Sequence, residues 1–210
     1  MSRLYQLLIF SCFTLLSNPK YPSTKGLNKG SSYHNNIVSD EGLSIIILPL
    51  GKNLPKLFIN TTYSKLKQFI PGITIGESTS FPISAYYKPR GRYRADSLIV
   101  WMSKKAQSNQ VYLGITNVDI STTKNGKADW GVLGLGFCPG NAAVASSYRL
   151  KNKSSFWKVA IHELGHTSGL PHCPEKTCFM RDAEGKNTTG EEKEFCKKCK
   201  AFLIRSGWKL

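Results

Sequence analysis

From residue 43 onward the apolar positions follow two periods in turn. Leu43-Ser44-Ile45-Ile46-Ile47-Leu48-Pro49-Leu50 is a short run heavy in isoleucine, suited to a strand buried on both faces. Between Gly51 and Pro71-Gly72, the positions Leu54, Leu57, Phe58, Tyr63, Leu66 and Ile70 recur at roughly helical spacing, which predicts a helix over 53–70. Ile73–Ile75 and Val111–Thr116 read as strands, 129–137 and 142–149 as further strands, and 92–106 as a second helix. A helix through the histidines at 162 and 166 and a last one over 191–206 complete the series. Strand–helix alternation followed by strands and a histidine-bearing helix predicts a single α/β (α+β) domain over 43–210.

The chain before residue 43 has a different pattern. Arg3 followed by the apolar run Leu4–Leu16 has the form of a signal or anchor segment over 1–16, too short to span a bilayer comfortably as a helix. Ser11-Cys12 faintly resembles a lipoprotein attachment site, with Cys12 as the lipidated residue. Export or a membrane tether is therefore the expectation. The alternative is a cytoplasmic protein whose apolar N-terminal helix packs on the domain. Residues 17–42, rich in Ser, Asn, Gly, Lys and Pro, read as a flexible linker.

Composition changes the picture in two ways. Lys and Arg number 29 against 13 Asp and Glu, a formal charge of +16, which favours acidic partners. The basic residues are spread along the chain rather than blocked, so a solvated basic surface accounts for them and nucleic acid is not the expected partner. The second change is the clustering of metal-binding residues. Of four histidines, His162, His166 and His172 fall within eleven positions, and four of six cysteines, Cys173, Cys178, Cys196 and Cys199, follow them. Zinc's preferred ligands are gathered at one end of the molecule.

The segment His162-Glu163-Leu164-Gly165-His166-Thr167-Ser168-Gly169-Leu170-Pro171-His172 carries the chemistry. Residues four apart on a helix stack on one face, so His162 and His166 can offer two imidazoles to one ion. Glu163 lies about 100° round the helix, beside the ion, where a general base for activated water belongs. Gly169 can take a positive φ and end the helix, returning His172 as third ligand. Three protein ligands leave a position open, the mark of a catalytic zinc. The reaction implied is hydrolysis of peptide bonds, with the substrate extended beside a strand, for which Asp129–Phe137 is the candidate. Cys173-x4-Cys178 with Cys196-x2-Cys199 has the paired form of a closed, structural zinc site; two disulfides are the alternative, strengthened if the protein is exported. Cys138 reads as a buried free thiol. Two zinc ions per chain, a peptide substrate and a monomer are expected. A zinc-stabilised nucleic-acid-binding module would leave the histidines and Glu163 without a purpose, and a non-cutting pseudo-enzyme would leave Glu163 without one.

HExxHxxGxxH followed by Cys173, Cys178, Met180, Cys196 and Cys199 resembles the archaemetzincin (archaelysin) family of metzincin peptidases. The similarity extends to Leu48–Gly51, Gly114–Asp119 and Ala142–Leu150, covering most of 43–210 and none of 1–42. The resemblance implies a metzincin-like domain with a mixed twisted sheet, an active-site helix and a C-terminal helix clamped by zinc. It also implies that Met180 belongs to a Met-turn under the three histidines. The Met180–Cys196 stretch is slightly shorter than the family pattern, and an export-like N-terminus is not typical of it.

Overall fold

The computed structural model describes residues 44–183 and 186–210. The expectations for 1–16, 17–42 and Cys12 lie outside the described residues. Five strands form the central sheet: β1 (Ser44–Pro49), β2 (Ile73–Ile75), β5 (Gln110–Thr116), β8 (Gly134–Gly136) and β9 (Ala142–Ser146). Their order is β2-β1-β5-β9-β8. The first four run parallel, and β8 lies antiparallel on the β9 edge. Parallel pairing needs helical crossovers, and these cover the sheet on both sides.

On one face, α1 (Lys56–Lys67) and α3 (Phe156–Thr167) pack over Ile45, Ile47, Leu113, Ile115, Ala143 and Ala145. On the other, α2 (Ala95–Ser103) packs over Leu50, Ala142 and Val144 through Leu98, Ile99 and Met102. Alternate residues of β1 and β9 thus feed opposite cores, as the period-2 direction of strand side chains requires. A terminal helix, α4 (Lys197–Arg205), joins the first core through Cys199 and Leu203. The mixed α/β architecture is the one expected.

Beyond shifts of about three residues at the ends of α1, α2 and β9, three regions differ from the sequence reading. Residues 92–94 are β4 (Arg92–Arg94), not the start of a helix. Arg92 is pulled into an ion-pair site with Asp119 and Asp129, so the chain stays extended until Ala95. The run 129–137 is not one strand but parts of two. Its first part belongs to β7 (Lys127–Val132), in a second sheet of order β3-β4-β6-β7, with β3 at Tyr86–Tyr87 and β6 at Ile120–Lys124; the rest includes β8. Residues 191–196 are not helical: amide groups of Lys193 and Glu194 donate to the Thr177 carbonyl, and the helix starts only after Cys196.

Candidate active site

Helix α3 carries its catalytic candidates on a partly buried face. Its core side is Phe156, Val159, Ala160, Ile161 and Leu164, with Trp157 packed at the margin. His162 and His166 stack one turn apart, with their Nε2 atoms 3.1 Å from each other. The helix stops where the glycine predicts: Gly169 has φ +99°, its N–H donates to the His166 carbonyl at 2.8 Å, and Leu170 N–H donates to the Gly165 carbonyl at 3.1 Å. His172 then returns, its ring centroid 5.3 Å from His162 and 4.8 Å from His166. One ring nitrogen from each of the three lies within 4.8 Å of the others.

Backbone carbonyls orient two of the rings. Nδ1–H of His162 donates to the Phe179 carbonyl at 2.6 Å, and Nδ1–H of His166 to the Leu170 carbonyl at 2.7 Å. A carbonyl can only accept, so the proton sits on Nδ1 and leaves the Nε2 lone pairs facing one another. Asp182 Oδ2 stands 3.5 Å from Nδ1 of His172 and steadies the third ring. Burial, with the neighbouring rings adding to it, pushes the His162 pKa down to about 3. Burial likewise brings His166 to about 4 and lowers His172, which Asp182 partly opposes. All three are thus neutral imidazoles at physiological pH, with lone pairs free to bind a metal.

Glu163 is 7% exposed, and burial raises its pKa to about 8. The sequence pattern placed it beside the ion on the helix; in the structure β8 covers it. A Cβ at Gly134 would stand 2.5 Å from Glu163 Oε1. Glu163 and His162 together line a cleft of about 70 Å³ whose other walls include Leu133, Arg181, Thr188 and Glu192. Beneath α3 lies Met180, fully buried. A Cβ at Gly165 would come within 2.3 Å of its Sδ, so the glycine between the two histidine turns makes room for the thioether. The Met180 carbonyl accepts from Cys173 N–H at 2.7 Å, tying that turn to the residue after His172.

The four cysteines also converge, their sulfurs all within 4.8 Å of one another. They are free thiols, with Cys173 Sγ 3.7 Å from Cys196 Sγ, so the two-disulfide alternative is not the arrangement found. Amides of Met180 and Cys196 donate to Cys178 Sγ at 3.5 and 3.3 Å. Burial raises the Cys178 pKa to about 11 and pushes Cys199 higher still. Cys138 is disulfide-bonded, which corrects its reading as a free thiol.

The seven residues that the sequence pattern nominated as metal ligands fall in these two clusters, with Glu163 beside the first. What it missed are the groups that hold them: the carbonyls of Phe179 and Leu170, Asp182, and the glycines of β8. The alternation Gly134-Leu135-Gly136 was the available signal, since glycine on one face of a strand marks a close approach.

Residues 52–205 match the model of the family described as "Peptidase family M54". Among named relatives, the archaemetzincin of Methanopyrus kandleri is 32% identical over 132 residues, covering 60% of this chain and 73% of that protein. The archaemetzincin of Haloquadratum walsbyi is 29% identical over 147 residues, covering 62% and 82%. The crystal structure of the Methanopyrus kandleri archaemetzincin superimposes with a TM-score of 0.69 at 24% identity, covering 81% of this chain and 98% of that one.

Proposed function

We propose that this chain, which belongs to peptidase family M54 and is a zinc metallopeptidase, holds its catalytic zinc on His162, His166 and His172 and uses Glu163 as general base. The observation that carries the reading is the convergence of three neutral imidazoles, one of which, His162, lines a cleft together with the buried carboxyl group of Glu163. The donor set fits the ion. Zn–N bonds of about 2.0–2.1 Å in a tetrahedron separate nitrogens by about 3.3 Å, and the Nε2 atoms of His162 and His166 are 3.1 Å apart. Zinc at such a site supplies a Lewis acid and lowers the pKa of water toward neutrality.

The protein's own groups do the rest. Glu163 takes the proton of the attacking water and hands it to the departing amine nitrogen, so that a C–O bond forms as the C–N bond breaks. Its pKa is raised by burial alone; with a divalent cation held on the adjacent histidines, the carboxylate form of Glu163 would be favoured. A peptide substrate lies extended along the free edge of β8, main chain to main chain. Of the segment first nominated for this role, residues 129–132 lie in β7 of the second sheet, and β8 is the part that edges the central sheet beside α3.

We assign a second zinc to Cys173, Cys178, Cys196 and Cys199. Tetrahedral Zn–S bonds of about 2.3 Å place sulfurs about 3.8 Å apart, and Cys173 and Cys196 stand 3.7 Å apart. Four thiolates close the sphere, so this ion holds structure. The test of the catalytic reading is Glu163→Gln. The variant is expected to keep the zinc content of the parent while peptide hydrolysis falls by about 10³-fold or more. Hydrolysis at the parental rate would overturn the role of Glu163.

A further inference from the structure

Gly134 and Gly136 sit on β8 opposite Ala145 and Ala143. Two apart on a strand, they turn the same side toward α3. Neither has a positive φ, so backbone freedom does not explain them; space does. A Cβ at 136 would stand 2.7 Å from the backbone oxygen of Glu163 and 3.4 Å from His166 Cβ. A Cβ at 134 would stand 2.5 Å from Oε1, 2.6 Å from Cγ and 2.7 Å from Cδ of Glu163. The two glycines therefore admit different things. Gly136 lets the strand pass over the helix backbone, while Gly134 makes room for the side chain of Glu163 itself.

We propose that Gly134 is a positioning residue for the reaction: its bare α-carbon is the wall against which the Glu163 carboxyl group rests. The proposal builds on the reading of Glu163 as general base. A glutamate side chain has three rotatable torsions, and a base must be held within a fraction of an ångström of its working position. Here β8, pinned to β9 by its ladder, leaves Glu163 one place to lie, facing the cleft beside His162. A methyl group at 134 would claim that place. Either the carboxyl group moves away from the cleft, or β8 lifts off α3.

The test is a pair of cycles on the full zinc-loaded chain: Gly134→Ala and Gly136→Ala, each with Glu163 and with Glu163→Ala, read by thermal unfolding. With Glu163 present, Gly134→Ala is expected to lower Tm by about 5 °C. With Glu163→Ala that loss should vanish, because the new methyl enters vacated room. Gly136→Ala should lower Tm in both backgrounds, since the backbone oxygen it meets remains. In the Glu163 background, Gly134→Ala should also reduce kcat by about tenfold or more, with KM within about twofold and zinc content unchanged. An equal Tm loss in both backgrounds, or an unchanged kcat, would overturn the proposal. If Gly134→Ala folds only together with Glu163→Ala, that is the same rescue in its strongest form; if it folds with neither, Gly134 is a packing residue and the proposal fails. Should Glu163→Gln prove active, the general-base reading fails by itself, while the unfolding cycle still reports whether the two side chains compete for one space.

Discussion

At residue 165 a single methyl group separates a working site from an overpacked one. Met180 is fully buried and its sulfur fills the notch that Gly165 leaves between the two histidine turns. Gly165→Ala should therefore cost about 1–3 kcal/mol of stability, measured by denaturant unfolding, although alanine has the higher helix propensity. An unchanged or raised stability would show that Met180 can move aside. Asp129 gives a prediction with a pH dependence. Burial alone would raise its pKa, but hydrogen bonds from Arg92 outweigh that and hold it below the usual carboxylate value. A pKa depressed in the folded state contributes stability above the unfolded value, near 3.9, and loses it as pH falls through the folded value. Asp129→Asn should accordingly destabilise by about 1–3 kcal/mol near pH 7, since Arg92 keeps Asp119 as a partner. The difference from the parent should shrink below about pH 4. A penalty independent of pH would refer the effect to packing. The histidines and Glu163 were legible here because their spacing is local: eleven consecutive positions encode a helix, its stop and the return of a third histidine. The carbonyls that orient them were not, because a carbonyl has no residue signature.

Among the elements, legibility followed apolar content. β1, β5 and β9, buried on both faces, announce themselves as apolar runs. The second sheet did not, because β3, β4 and β6 are short and carry few apolar residues, and Arg92, buried in β4, is held by charge rather than by hydrophobic periodicity. The final helix was drawn too early for a related reason. Residues 191–196 carry no helix-breaking residue, yet hydrogen bonding to Thr177 keeps the chain extended and delivers Cys196 to the sulfur cluster. Helix α4 thus depends on that cluster, with Cys199 in its first turn and Leu203 in the core. Cys199→Ser should reduce bound zinc from two ions to one per chain and speed amide exchange over 197–205. Two zinc ions retained, or exchange unchanged, would separate the helix from the metal.

Among the described residues, three layers are arranged so that one sheet edge, one helix and one histidine cluster meet. The parallel strands carry α3 on one face, the sheet ends in β8, and β8 closes over Glu163. The loop holding Met180 and Asp182 lies between His172 and the cysteines Cys196 and Cys199, so the cysteine cluster and the histidine cluster are braced against each other through one loop. No helix among the described residues is long and apolar enough to cross a membrane. Anomalous diffraction at the zinc edge from crystals of the full chain tests this arrangement most directly. Two peaks per chain are expected, one about 2.1 Å from a ring nitrogen of each of His162, His166 and His172 with no fourth protein ligand, the other about 2.3 Å from the sulfurs of Cys173, Cys178, Cys196 and Cys199. A histidine site without metal, or one closed by a fourth side chain, would contradict it.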